Sequence, residues 1–267
     1  MDINIISVVT NPQQYKQLFT DNPHLKAQNI HLHAYDNNTD NQPIPARYNH
    51  FIDTQAPKDT WLVFCHQDFE FLTDPSPIFE KLDPTCIYGP IGVQLKFMPA
   101  LEFTIHTYRW HPSIHIKKDP FVRWCGQIYQ GAGFTKVGSF LKYPTVVDTV
   151  DCCCVIVHAS LISKLNLRFD PVFDFHLYSE DFSLNARQHG VQTKAVQIPC
   201  RHYSGGNVNE LFWQKYDQLL AKYPHEFFMT TCAGSPQKML RRLLKERYDK
   251  IAPLWTWRNI FGKTRDI

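Results

Sequence analysis

The sequence predicts an α/β fold: a mixed, mainly parallel sheet flanked by helices, with a helical extension at its C-terminal end. Three observations carry this. Up to about residue 95, short apolar runs alternate with helical patterns, as in βαβ units. One run, Trp61 to Cys65, is wholly apolar, the mark of a strand covered on both faces. The chain also has the size and composition of a folded domain, with 267 residues, 43% hydrophobic and 20% charged, enough to bury a core.

The elements follow in order. Ile3 to Thr10 is an apolar strand, broken by Asn11-Pro12, and Gln13 to Phe19 is a short helix. Asn29 to Tyr35 is a second strand that stops at Asp36. The Asn/Asp/Pro cluster from Asp36 to Pro45 is a loop, and Pro45 opens a helix running to Thr54. Trp61 to Cys65 is the third strand, Ser76 to Leu82 a short helix, and Ile87 to Val93 a fourth strand interrupted by Gly89-Pro90. From Lys96 to Pro144 there is no clean period, and glycines at 126, 131, 133 and 138 predict a loop. Val146 to Val157 is read as one buried strand. Helices are expected at 160–165 and at 178–189, the second capped by Gly190. A strand at 191–198, a helix at 207–222 and a basic helix at 237–249 complete the chain. The expected domain is 1–206, with 207–267 as the extension.

Composition excludes several classes. Formal net charge is +3, too small to indicate a nucleic-acid partner. The charge is uneven: residues 235–267 carry nine Lys/Arg against three Asp/Glu, so the tail is suited to an anionic surface. The start lacks a basic region before its short apolar run, unlike a secretory signal. No stretch nears the ~20 apolar residues of a membrane helix. Eight cysteines include no CxxC pair, so the expectation is reduced, buried thiols in a cytosolic protein. The glycines at 131, 133 and 138 lack dinucleotide-binding spacing, and Gly-x-Ser-x-Gly and Walker motifs are absent.

Four local patterns carry chemistry-bearing side chains. Cys65-His66-Gln67-Asp68 follows the third strand, where open α/β sheets bind ligands, and Asp68 offers a hard oxygen to Mg²⁺ or Mn²⁺. An aspartate closing a turn is the commoner reading of such a residue. Ser179-Glu180-Asp181 opens a helix, with Ser179 as an N-cap candidate. The carboxylates either stabilise the helix N-terminus, by about 0.3–1 kcal/mol each, or supply a general base. Arg201-His202 precedes paired glycines, so His202 is a metal-ligand candidate and Arg201 a phosphate-pairing one; an ordinary turn is the alternative. Asp36 ends the second strand, suited to a nucleotide base or ribose or to an Asx turn.

The order of these pieces is more specific than any one of them. Asp36, then Ala46-Arg47-Tyr48-Asn49, Leu62 to Asp68, Val150-Asp151 through Val157, Phe169-Asp170, His176 to Leu184, and His202-Tyr203-Ser204-Gly205-Gly206 together resemble a family-2-type glycosyltransferase of the GT-A fold. The nearest resemblance is to the bacterial branch whose metal motif reads His-Gln-Asp. It covers residues 3–206. It implies that Asp36, with Thr10 nearby and Asn49 on the following helix, serves the nucleotide. Asp68 and His202 then serve the metal, Asp151 the donor sugar or acceptor, Arg201 the phosphates, and Asp181 the base role, with Glu180 second to it. His66 stands where the commoner Asp-x-Asp motif has its first aspartate.

The activity so implied is sugar transfer from a nucleotide-diphosphate donor to a hydroxyl of a glycan or lipid-linked acceptor. It would be inverting, use Mg²⁺ or Mn²⁺, and serve bacterial surface polysaccharide synthesis. Tyr108, Trp110 and Trp124 are candidates for stacking on sugar faces. Trp255, Trp257, Ile260 and Phe261 behind the basic helix form a segment suited to a membrane surface, giving a cytoplasmic protein peripheral to the membrane. A nucleotidyltransferase and a degenerate GT-A module that binds without catalysis are the competing readings.

Overall fold

The computed structural model describes residues 1–95, 122–204, 206, 208–231 and 242–243. Strand β1 (Asp2–Val9), helix α1 (Pro12–Tyr15), β2 (Ile30–Asp36), α2 (Ile44–Thr54) and β3 (Thr60–Cys65) follow the predicted order. Then come β4 (Phe69–Phe71), α3 (Ser76–Phe79), β5 (Ile87–Gly89), β6 (Gly92–Leu95), β7 (Val122–Gln130), β8 (Thr135–Ser139), β9 (Thr145–Val146), β10 (Thr149–Val150) and β11 (Cys154–His158). Helices α4 (Ala159–Leu165) and α5 (Tyr178–Gln188), strands β12 (Thr193–Ala195) and β13 (Cys200–His202) and helix α6 (Glu210–Lys222) complete the described order.

The larger sheet runs β2-β1-β3-β11-β5-β12-β9. β1 pairs in parallel with both β2 and β3, and β11 runs antiparallel between β3 and β5. All six residues of β3 are buried, and the period of two assigns them to two cores. Leu62 and Phe64 join Ile6, Val8, Val155 and Val157 on one face. Trp61, Val63 and Cys65 join Ile3, Ile5, Val9 and Ile156 on the other. A strand with apolar neighbours on both faces has to be apolar throughout, as the sequence pattern requires.

The smaller sheet runs β10-β6-β7-β13-β4, with β8 paired to β7. It corrects the loop expected across 96–144. Residues 96–121 lie outside the described residues, but 122–139 form an antiparallel hairpin in place of a loop. Its glycines permit close approach. Gly126 sits at φ +86, and a Cβ there would lie 2.0 Å from the Pro90 carbonyl oxygen. Gly138, also at φ +86, would meet the Gly126 carbonyl oxygen at 2.1 Å. They mark a tight crossing of strands.

The single strand expected over 146–157 is also corrected. It divides into β9, β10 and β11, and Asp151, Cys152 and Cys153 form a turn between the last two. Asp151 Oδ1 accepts the Cys153 amide at 2.8 Å, an aspartate turn that outcompetes strand pairing. Nor is Ser179 an N-cap: α5 begins at Tyr178, behind Leu177 at φ +66. The boundary expected at 206 does not divide the core. Phe212, Trp213, Tyr216, Leu219 and Leu220 of α6, at helical spacing, belong to the same core as Phe64 and Val155. Of the tail, Arg242 pairs with Asp217 at 2.6 Å and Leu243 is buried in that core. The rest of the basic helix and the Trp255–Phe261 segment lie outside the described residues. No described helix is long and apolar enough to cross a membrane. The seven described cysteines are free and buried.

Candidate active site

Parallel pairing of β2, β1 and β3 brings their carboxyl ends to one edge of the large sheet. The chain passes from β1 outward to β2, then back to β3 on the other side. That reversal leaves a crevice between β1 and β3, the position where open α/β sheets hold ligands. A cleft of about 1080 Å³ opens there. Its floor includes Thr10, His66, Gln67, Asp68, Asp151 and His202. One wall carries Asn41, Gln42, Pro43 and Ile44; another carries Asp174, Phe175 and His176; Trp124, Trp213 and Thr231 also line it.

Gln67 ties the crevice together. Its Oε1 accepts the amides of Thr10 at 2.8 Å and Asn11 at 2.7 Å, and its Nε2 donates to Thr10 Oγ1 at 2.9 Å. The turn after β3 is thereby fastened to the end of β1.

Beside Gln67, three donor atoms converge. His202 Nε2 lies 3.5 Å from Asp68 Oδ1 and 3.4 Å from His66 Nδ1, and His66 Nδ1 lies 4.0 Å from Asp68 Oδ1. β13 delivers His202 through its antiparallel pairing with β4, in which His202 faces Phe69 directly after the His66–Asp68 turn. The electrostatics are coupled. Burial, then the neighbouring His202, hold His66 down to about 4, so it is neutral at pH 7. Burial works against charge on both Asp68 and His202 as well, but their mutual hydrogen bond and attraction prevail, lowering Asp68 and raising His202.

The set fits a divalent ion. Two imidazoles and one carboxylate suit a borderline ion such as Mn²⁺ better than Mg²⁺, which prefers all-oxygen sites. The other ring nitrogen of His202, Nδ1, is buried with no hydrogen-bond partner among the described residues, and the donor set uses Nε2. Asp151 and Cys153 also lie close enough to His202 to form a ligand group. Asp151, however, is engaged by the Cys153 amide and by Thr231 Oγ1 at 2.5 Å, and burial pushes the Cys153 thiol well up, away from the thiolate a metal needs.

The other predicted site residues divide sharply. Thr10, Asp68, Asp151 and His202 are brought together in the cleft. Asp36, Asn49, Arg201, Glu180 and Asp181 are not among its lining residues. Asp36 Oδ1 accepts the Asn38 amide and side chain, both at 2.9 Å, in the Asx turn that was the alternative reading, and these bonds hold its carboxyl low. Asn49 clamps the backbone of Phe169, donating to its carbonyl at 2.8 Å and accepting its amide at 3.0 Å. Arg201 alternates with His202 to the opposite face of β13, where it meets Glu70 at 3.4 Å and covers the Phe134 ring.

The acidic pair of α5 is sealed. Asp181 is 1% exposed, and its Oδ1 accepts from Lys222 Nζ at 2.6 Å and the Tyr223 hydroxyl at 2.8 Å. Burial raises its pKa against the pull of Lys222 and Tyr223. Glu180 is fully buried and accepts from Ser179 and Thr230 hydroxyls. The base role that the resemblance implies for this pair therefore meets a geometry in which neither carboxylate reaches the cleft.

The sequence did not single out Gln67, Tyr178, Asp174 or His176 as site residues, and it treated His66 as a departure and not as a ligand. Gln67 was readable from its place inside the His-Gln-Asp motif. Tyr178, whose hydroxyl lies 2.7 Å from His66 Nε2, has no local signal, since the two are 112 residues apart. Asp174 and His176 reach the cleft through the strained turn ahead of α5: a buried leucine at φ +66 costs about 1–3 kcal/mol, a strain that clusters at functional sites.

No family model matches the chain, and neither does any curated protein. Similar solved structures include S. aureus TarS residues 1-349, at 10% identity and TM-score 0.44 over 98% of this chain and 76% of that one. The longer TarS structure scores 0.47 at 10% identity, covering 100% of this chain and 46% of that chain. GalNAc-T7 with UDP, GalNAc and Mn²⁺ scores 0.47 at 11% identity over 93% of this chain. The chain spans about half the length of that last protein, 54%. Both are glycosyltransferases.

Proposed function

We propose that the protein is a metal-dependent glycosyltransferase that moves a sugar from a nucleoside-diphosphate donor to an acceptor hydroxyl. The observation that carries this is the convergence of His66, Asp68 and His202 on the floor of a cleft at the β1–β3 crevice. A donor set beside a strand-end crevice is what a nucleoside diphosphate needs: a groove for the nucleoside and a cation for the phosphates.

In this reading the nucleoside lies along Thr10 and residues 41–43, and Asp151 faces the transferred sugar. His66, Asp68 and His202 would hold the ion, and a divalent cation there would supply positive charge to a departing diphosphate. A single displacement on the anomeric carbon inverts its configuration. The attacking hydroxyl needs a proton acceptor. Asp174 and His176 are titratable groups on the cleft wall, and they take that role in place of Asp181. Burial holds His176 below its ordinary pKa, which keeps it neutral and able to accept a proton at pH 7. The acceptor is proposed to be a glycan or lipid-linked hydroxyl in bacterial surface polysaccharide synthesis, met at the inner membrane surface through the basic-aromatic tail. A binding module without catalysis is the second reading, favoured by the sealing of Glu180 and Asp181.

Thermal unfolding with a panel of nucleoside diphosphates and nucleotide sugars, with and without Mn²⁺, tests this. A ligand binding only the native state adds about 2.7 kcal/mol at a hundredfold excess over its Kd. The expected result is an Mn²⁺-dependent rise with one nucleotide, absent in Asp68→Ala. No rise with any nucleotide overturns the proposal, and nucleotide binding without transfer to any acceptor favours the binding module.

A further inference from the structure

We propose that Tyr178 is a positioning residue: its hydroxyl locks His66 in the tautomer that carries hydrogen on Nε2, leaving the Nδ1 lone pair facing Asp68 and His202. The inference rests on the reading of these three residues as an ion site. It follows from the hydrogen-bond geometry. The Tyr178 hydroxyl donates to the Cys152 carbonyl oxygen at 2.9 Å, and a carbonyl can only accept. A hydroxyl has one hydrogen. The same hydroxyl also hydrogen-bonds Tyr48, whose own hydrogen goes to the Cys65 carbonyl oxygen. With the Tyr178 hydrogen directed at Cys152, the oxygen meets His66 Nε2, 2.7 Å away, as an acceptor. Nε2 must then be the N–H of the neutral ring, and Nδ1 is bare.

Bare Nδ1 is what an ion requires, and it is the nitrogen turned toward His202 Nε2 and Asp68 Oδ1. The arrangement is built from distant parts of the chain. Tyr178 is the first residue of α5, fully buried, with its ring edge-on to Tyr48 and Phe169. Cys152 lies in the turn over 151–153 and not in a strand. Partners that fix the tautomer of ligating histidines change metal affinity by about 10–100-fold when removed.

Two measurements on the full-length chain test the proposal. In metal-free protein labelled with ¹⁵N-histidine, with His66 assigned by its absence in His66→Ala, the wild type should show Nε2 protonated and Nδ1 not. Tyr178→Phe, which keeps the ring, should show a mixture of tautomers. Mn²⁺ titration followed by electron paramagnetic resonance should show affinity about 10–100-fold weaker in Tyr178→Phe. Hydrogen on Nδ1 in the wild type overturns the proposal whether or not the variant folds. Equal Mn²⁺ affinity in the two proteins overturns it while leaving the ion site standing. Absence of Mn²⁺ binding by the wild type removes the ion site and the inference with it.

Discussion

Two acidic motifs look alike along the chain and differ completely in space. His66-Gln67-Asp68 follows a strand and offers one carboxylate, and Ser179-Glu180-Asp181 opens a helix and offers two. In the first, Asp68 faces a cleft and shares it with two histidine nitrogens at 3.5 and 4.0 Å. In the second, Asp181 is closed over by Lys222 and Tyr223, and Glu180 by Ser179 and Thr230. A carboxylate is available for chemistry when solvent or ligand can reach it, as at Asp68 on the cleft lining. Where neighbouring side chains close over it, as over Asp181, whose Oδ1 alone is hydrogen-bonded and whose Oδ2 is buried without a partner among the described residues, the same group is cut off from any ligand.

The sharpest break of this contrast is a crossed pair of variants. Asp68→Ala should weaken Mn²⁺ binding by about 10³-fold, roughly 4 kcal/mol, with a urea midpoint near that of the wild type. Asp181→Ala should do the reverse. It leaves the Tyr223 hydroxyl without its carboxylate and frees Lys222, which is 39% exposed and keeps Asp170 at 2.8 Å. The expected loss is about 2–3 kcal/mol of stability, with Mn²⁺ affinity unchanged. Loss of transfer by Asp181→Asn in a protein of wild-type stability would return that residue to the chemistry.

Asp148, with its side chain 16% exposed, is a third carboxylate, engaged by the Leu95 amide, and it carries a pH signature. Burial raises its carboxyl to about 6, against the bonds from Leu95 and the charge of Arg187. Between pH 4 and 6 the native state keeps a proton that the unfolded chain has released. Its contribution to stability is therefore greatest at the acid end and is lost as pH rises through 6. From pH 4 to 7.5 the wild type should lose about 2 kcal/mol relative to Asp148→Asn, read by urea unfolding at each pH. A parallel course of the two proteins would show that Asp148 is solvated.

The smallest effect belongs to Gln67. Its loss in Gln67→Ala removes three bonds from the exposed ends of β1 and the turn after β3. Stability should fall by about 1 kcal/mol. Faster hydrogen exchange at the Thr10 and Asn11 amides would locate the change. Unaltered exchange there would mean the crevice holds its shape without the tie.

Much of the architecture was legible because it is local. Alternating and continuous apolar runs identified β1, β2 and β3, and Asn11-Pro12, Gly190 and the Asp/Asn cluster after β2 marked where elements stop. The hairpin of β7 and β8 was not legible. Its glycines look like loop residues until Gly126 is seen against the Pro90 carbonyl, a contact across 36 positions. The turn at Asp151 was hidden in the same way by the apolar cysteines around it.

By itself the sequence determined which strands are buried on both faces, where helices end, and which polar residues stand at strand ends. These are decided by periods of two and 3.6 and by residues with special backbone geometry. Only the tertiary structure decided which carboxylates remain available. That depends on side chains brought from far along the chain: His202 and Tyr178 to His66, but Lys222 and Tyr223 to Asp181. Hydrogen-bond capacity is a property of each residue; whether it is spent is a property of its neighbours in space.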